Sequence, residues 1–238
     1  PLVLVKVPAG TFRMGTPEAE GADYYPAEQP VHDVTLTQDF FLGKYEVTQA
    51  QWQAVMGTNP SYFGACGGRC PVERVSWNDI RGPNGFLEKL NALLGETRLR
   101  LPTEAEWERA ARGGTQTRFS FGDAAGGDDY CGPNAEAEPY VWWCGNAGET
   151  THEAGTKQAN AFGLHNMHGN VWEAVEDLFG SYPSTPQTDP TGPSAGTKRV
   201  ARGGGRINLL QDVRAGVRDQ VDPDSRFSSL GFRIAKSK

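Results

Sequence analysis

"LPTEAEWERAARGG", residues 101–114, is the stretch on which the reading of the fold turns. Thr103 is placed to cap a helix, and Glu106, three residues on, to return the bond in a capping box. Trp107, Ala110 and Ala111 then share one face, and Gly113 supplies a left-handed stop. Beyond Gly113 the helical period vanishes. The remainder of the chain is Gly, Pro, Asn, Asp and Trp broken by very short apolar runs, closing on "LGFRIA" (230–235), which reads as a strand. The stretch therefore separates a half built from regular elements from a half built from loops. Loops that long are functional or are held by something other than secondary structure.

Upstream, "VTQAQWQAVMG" (47–57) repeats the same grammar, with Thr48 as cap, Gln51 as its partner and Gly57 as the stop. "SWNDIRGPNGFLEKLNALLG" (76–95) carries helical spacing at Phe86, Leu87, Leu90, Leu93 and Leu94, and Gly82-Pro83 breaks it into two parts. Earlier still, "VLVKVPAGTFRMG" (3–15) holds two short apolar runs about Pro8-Ala9-Gly10, and "HDVTLTQDFFLGKYEV" (32–47) alternates like half-buried strands. No linker, low-complexity block or solenoid repeat divides the chain. A single α+β domain over residues 1–238 is expected.

Gly and Pro, 30 and 16 of 238 residues, are dispersed rather than periodic, which favours an ordered, loop-rich chain. No apolar run approaches the roughly 20 residues of a membrane-spanning helix. The formal net charge of -6 argues against nucleic acid, whose recognition rests on clustered cations. Arg202, Arg206, Arg214, Arg218, Arg226 and Arg233 do crowd the tail, but the interleaved Asp212, Asp219, Asp222 and Asp224 are positioned to pair with them. A monomer is expected. Location stays open between a cell or virion surface, if a leader has been removed, and the cytoplasm.

Cys66 and Cys70 form one close pair, whereas Cys131 and Cys144 lie too far apart for the second tight pair of a zinc site. Two local disulfides, 66 with 70 and 131 with 144, are expected, with free buried thiols as the alternative.

"GLHNMHGNVWEAVED" (163–177) makes the best local case for an ion. Calcium takes oxygens from carboxylates, amides and carbonyls gathered on a sharp loop. Asn166 and Glu173 offer side-chain oxygens, and the turn at Gly169-Asn170 can direct the carbonyls of Gly169 and Val171 inward. The plain alternative is a turn that puts Trp172 in the core and leaves Glu173 in water. His165 and His168 have zinc-like spacing but no evident third ligand.

Seven segments taken together carry a family resemblance: "VPAGTFRMG", "YEVTQAQW", "PVERVSWND", "RLPTEAEWERAARGG", "NAFGLHNMHGNVWEAVED", "RVARGGG" and "LGFR". In this order they resemble the formylglycine-generating enzyme (sulfatase-modifying factor) family across nearly the whole chain. The resemblance implies a variant of the C-type lectin fold, loop-rich, with few short helices and small antiparallel sheets. It also implies structural calcium held by Asn166, Glu173 and the carbonyls of Gly169 and Val171. The family's enzymes use two cysteines downstream of the Arg-Gly-Gly motif, where a thiolate binds copper. Those places fall on Asn208 and Val213, and neither an amide nor an isopropyl group can supply a soft sulfur ligand. The histidine triad of related sulfoxide synthases has no counterpart either.

The tail, residues 202–233, is similar instead to the variable proteins of diversity-generating retroelements, which are built on the same fold. Arg214, Arg218, Pro223, Asp224, Arg226 and Gly231-Phe232-Arg233 resemble their fixed skeleton. Ile207, Asn208, Leu209, Asp212, Val217, Asp219, Val221, Ser225, Phe227, Ser228 and Ser229 stand where diversified residues would, and each type is reachable from an Asn codon by adenine changes alone. Gly205-Arg206 departs from the pattern, which often has Ser and an aromatic there. The expected ligand face has an apolar centre of Ile207, Leu209, Val217, Val221 and Phe227, bordered by Arg206, Asn208, Asp212, Asp219, Gln220, Ser225, Ser228 and Ser229. Val213 and Leu230 read as core, and the plain alternative puts the other apolar residues there too. The partner expected is a protein or a surface glycan. A structural or accessory family member, and an enzyme of altered chemistry, are the competing readings.

Overall fold

Strand β1 (Leu4–Val7) runs antiparallel to β4 (Phe40–Gly43), and β11 (Ala235–Ser237) and β5 (Leu99–Arg100) complete the sheet in the order β1-β4-β11-β5. The chain's two ends are thus joined through β4. This is a computed structural model, and it describes residues 1–17, 26–124 and 130–238. A second sheet comprises β2 (Gly10–Met14), β3 (His32–Leu36) and β7 (Gln187–Thr188). The third has the order β10-β6-β8-β9, from Leu230–Gly231, Trp172–Leu178, Arg199–Arg202 and Arg218–Val221.

Two pairings are parallel, β10 with β6 and β3 with β7, where antiparallel sheets were expected. Parallel neighbours need long crossovers, and the long loops provide them. "LGFRIA" is likewise two strands rather than one: Leu230–Gly231 lies in the third sheet and Ala235 in the first. The chain changes sheets between them.

Helices α1 (Gln49–Met56) and α4 (Glu104–Arg112) open on complete capping boxes at Thr48/Gln51 and Thr103/Glu106 and end on left-handed Gly57 and Gly113. Between them α2 (Trp77–Arg81) and α3 (Phe86–Leu94) are separated by the Gly82-Pro83 break. Phe86, Leu87 and Leu90 of α3 are buried, whereas Leu93 and Leu94 are exposed. Between Arg112 and Trp172 the described chain contains neither helix nor strand. The disulfide Cys131–Cys144 cross-links that stretch, and Cys66–Cys70 closes a tight loop downstream of α1.

Trp107 centres one core with Met14, Val34, Met167 and Val175, and a second gathers Trp52, Trp77, Phe86 and Phe232. A smaller one joins Phe119, Val141 and Trp143 to Leu210 and Val213 of the tail. The apolar residues of that short 3-10 turn, Leu210–Val213, thereby hold the tail against the loop half of the molecule. Among the described residues no helix is long and apolar enough to cross a membrane.

Candidate ligand face and cation cluster

The tail's arginines are mostly internal. Arg202, Arg206, Arg214, Arg218 and Arg233 are all buried, and only Arg226 is exposed. Their carboxylate partners are not the interleaved aspartates but glutamates far upstream. Arg202 pairs with Glu108 at 2.5 Å, Arg218 with Glu104 at 2.7 Å, Arg214 with Glu28 at 3.1 Å and Arg233 with Glu173 at 2.5 Å. The interleaved aspartates expected to pair with them lie toward the outside: Asp222 pairs with Lys198, and Asp219 and Asp224 are exposed. A buried guanidinium needs a buried carboxylate with its remaining donors satisfied, and Arg202 and Arg218 also donate to backbone carbonyls of Ala215, Gly216, Ala27 and Gly180.

Two glycines let the tail leave β8 tightly. Gly203 and Gly204 have φ of 92° and 68°, and a Cβ on Gly204 would come within 2.4 Å of Val213 Cγ1. Arg206 then turns inward, its Nε donating to the Glu149 carbonyl at 2.9 Å and Nη1 to that of Ser228 at 2.8 Å, with the guanidinium 4.3 Å from the centre of the Phe63 ring. Asn208 is held from two sides: its side-chain oxygen accepts from the Trp172 indole at 3.0 Å and from Gly205 N–H at 2.9 Å. Trp172 N–H in turn donates to the Ser229 carbonyl.

These bonds bring Ile207, Asn208, Leu209, Phe227, Ser228 and Ser229 together. Ile207 is 56% and Phe227 51% exposed, and Asn208, Leu209, Ser228 and Ser229 are half-buried. Three residues expected on the face are inside instead: Arg206, Val217 and Val221 are buried. Arg206 braces the loop, Val217 is buried just before β9, and Val221 at its end packs into the core of Trp52 and Phe232. Asp212 caps the Leu210 turn by accepting from Leu209 N–H. Asp219 and Gln220 are exposed but sit on β9, three strand spacings from β10, about 14 Å. Ser225 is half-buried in the turn between. The face also gains two aromatics that no motif singled out, Tyr62, 68% exposed, and the half-buried Phe63. Their signal is two adjacent rings in a turn just before a short disulfide loop.

Of the expected calcium donors, Asn166, Gly169 and Val171 lie in one turn, with positive φ at Asn166, Gly169 and Asn170, and Glu173 follows on β6. Glu173 is not in water: it is buried, gives both oxygens to Arg233 at 2.6 and 2.5 Å and accepts the Trp107 indole at 2.7 Å. Asn166 donates through Nδ2 to both oxygens of Glu46, and its own Oδ1 is buried without a hydrogen-bond partner. Glu46, which no sequence pattern singled out, is buried too and accepts from Asn170 Nδ2 at 2.9 Å. Burial pushes its carboxyl up to about 7, with Arg233 opposing and Glu173 adding to the rise. Two buried carboxylates thus feel one guanidinium, which of the two bonds Glu173 alone, beside an orphaned amide oxygen. Oxygens are the donors a hard cation such as calcium takes, but of these side chains only Asn166 Oδ1 is unengaged, Glu173 being held by Arg233 and Trp107. The set does not extend to zinc, since the His165 and His168 rings face the carbonyls of Lys157 and Val213 and His168 Nε2 lies 3.1 Å from the Ser120 backbone nitrogen.

A family model described as the sulfatase-modifying factor enzyme 1-like domain matches residues 3–238. The chain belongs to this family. Within the sulfatase-modifying factor enzyme 1-like family, it is 31% identical to the formylglycine-generating enzyme of Streptomyces coelicolor, over 97% of this chain and 88% of that protein. Among solved structures it is similar to Treponema denticola variable protein 1, with 30% identity and a TM-score of 0.85 over 100% of this chain and 95% of that one. PvdO from Pseudomonas aeruginosa superposes with a TM-score of 0.82 at 28% identity, over 99% and 94% of the two chains. The fold is therefore the C-type lectin variant that the motifs implied. At the two positions expected to carry thiols in the family's enzymes, this member has a hydrogen-bonded Asn208 and a fully buried Val213. All four cysteines are in disulfides. These residues do not fit a copper–thiolate centre.

Proposed function

We propose that this chain is a non-catalytic binding protein, a cation-stabilised C-type lectin scaffold presenting the tail surface to a protein or surface glycan. One observation carries the reading. Where thiols are expected in the family's enzymes, a pinned amide and a core valine stand, while Ile207 and Phe227 beside them are more than half exposed. Exposed large apolar side chains grouped on one rigid face are what interaction surfaces use. The likeness to a variable protein supports it. In that setting the side chains between the buried arginines are the diversified ones, and calcium bridges Asn166, Glu173 and the carbonyls of Gly169 and Val171.

Two experiments test the proposal. The encoding DNA should carry, near a reverse transcriptase gene, a near-copy of the tail segment differing at adenines; absence of any such copy removes the diversification. Incubation with a cysteine-bearing sulfatase peptide and copper should leave the cysteine unchanged. The relatives named formylglycine-generating enzyme favour a second reading, an enzyme, and conversion of the cysteine in that assay would establish it over the first.

A further inference from the structure

β6 starts at the tail face with Trp172 and reaches Asp177 five residues, or about 17 Å, further on. There the segment 180–193 arches over a cavity of about 470 Å³, within the size range of small-molecule sites. Its walls include Met14, His32, Tyr182 and Pro190, which suit an apolar body. The polar groups decide what else it suits.

Arg218 lines the cavity but has little left to give. Its Nε and Nη2 bond both oxygens of Glu104 at 2.8 and 2.7 Å, and Nη1 bonds the carbonyls of Ala27 and Gly180 at 3.1 and 2.7 Å. An anion would find no free fork. Glu104 is equally engaged, by Arg218 and by the Tyr182 hydroxyl at 3.0 Å. Asp177 is different. It is 4% exposed, accepts one bond at Oδ2 from Glu104 N–H at 2.8 Å, and makes no ion pair among the described residues. Two guanidiniums act on it only at a distance: Arg100 is bidentate on Glu106, and Arg199 donates to the Glu176 carbonyl and lies over Trp77, with its buried Nε left without a partner. Burial first, then Glu104, Glu106 and Glu176, push the Asp177 carboxyl up to about 8. Among the described residues the cavity therefore holds one buried carboxyl with no ion pair, and the guanidinium that lines it has no free donor. One such carboxyl is too few oxygens for a hard metal ion, which takes six or more.

We propose that this cavity binds a small organic cation, a primary ammonium seated on Asp177 with its hydrocarbon part against Met14, Tyr182 and Pro190. The site lies at the opposite end of β6 from the tail face and stands independently of the binding function assigned there.

The test is a titration of the intact protein with n-butylammonium and with n-butanol as its uncharged counterpart, at constant ionic strength and about pH 8.5, where the amine is still charged and Asp177 is ionised. The ammonium should raise Tm by about 5–10 °C at concentrations 100-fold above its Kd, and butanol should not. Asp177→Asn should lower the affinity at least tenfold. Ser181→Trp, at an exposed residue of the cavity wall, should obstruct entry with Asp177 intact, and it decides the matter if the first variant does not fold. Equal responses to amine and alcohol, or an unchanged response in either folded variant, would overturn the proposal.

Discussion

The indole N–H of Trp172 donates to the side-chain oxygen of Asn208 at 3.0 Å, on the same oxygen that receives Gly205 N–H at 2.9 Å. Asn208 therefore serves as the pin of the exposed loop. In Asn208→Ala both donors lose their acceptor, at a cost of about 1–3 kcal/mol. Thermal melts should show a fall in Tm of about 2–10 °C, with a change in Trp fluorescence that Ile207→Ser, a purely exposed substitution, does not produce.

Chelation probes the cation cluster. If a calcium ion fills the position beside Asn166 Oδ1, EDTA should lower Tm and excess calcium restore it, by about 2.7 kcal/mol at 100 times Kd. Asn166→Ala should abolish the calcium response. A melting curve indifferent to EDTA would remove the ion from the reading.

The Cys131–Cys144 bridge closes a short loop whose second cysteine donates its backbone N–H to the Asn208 carbonyl at 3.0 Å. Replacing both cysteines by Ser should cost up to about 3 kcal/mol. The loosening should also appear as faster amide exchange at Asn208 and Leu209, while the Trp52 core stays protected.

Asp177 gives stability a pH slope of known sign. Unfolded, its carboxyl ionises near pH ~3.9; folded, burial and the neighbouring glutamates raise that to about 8. Between these values the folded chain holds a proton the unfolded chain has lost, so this group's contribution is full below about pH 4 and declines as pH rises through about 8. Denaturation series from pH 4 to 9 should show Asp177→Asn matching the parent at the acid end and exceeding it increasingly toward alkaline pH. A constant difference across the range would contradict the shift.

Local signals were legible and distant ones were not. The capping boxes at Thr48 and Thr103 depend on residues three apart, so their grammar survives folding unchanged. The seven motifs, read together, carried the fold. The partners of the tail arginines were misjudged because proximity in sequence favoured Asp212 and its neighbours, whereas Arg202 and Arg218 close ion pairs with residues 94 and 114 positions away. Val217 and Val221 cannot be sorted into face or core from the short run around them, since Arg218 is buried while Asp219 and Gln220 between them are exposed, with no alternation to follow. Glu46 and Asp177 were invisible as sites for the same reason. A single acid in a short run announces nothing until tertiary packing strips it of water.

The origin of the tail's countercharges bears on how the protein is made. A nascent chain that has emerged only as far as residue 200 already contains Glu28, Glu104 and Glu173, but not Arg214, Arg218 and Arg233, whose guanidiniums neutralise them. It also lacks β11, which joins β4 to β5. Such an intermediate would have to bury bare carboxylates, so closure of the domain waits for residues 214–237 to leave the ribosome, and products terminated before them remain open to proteolysis.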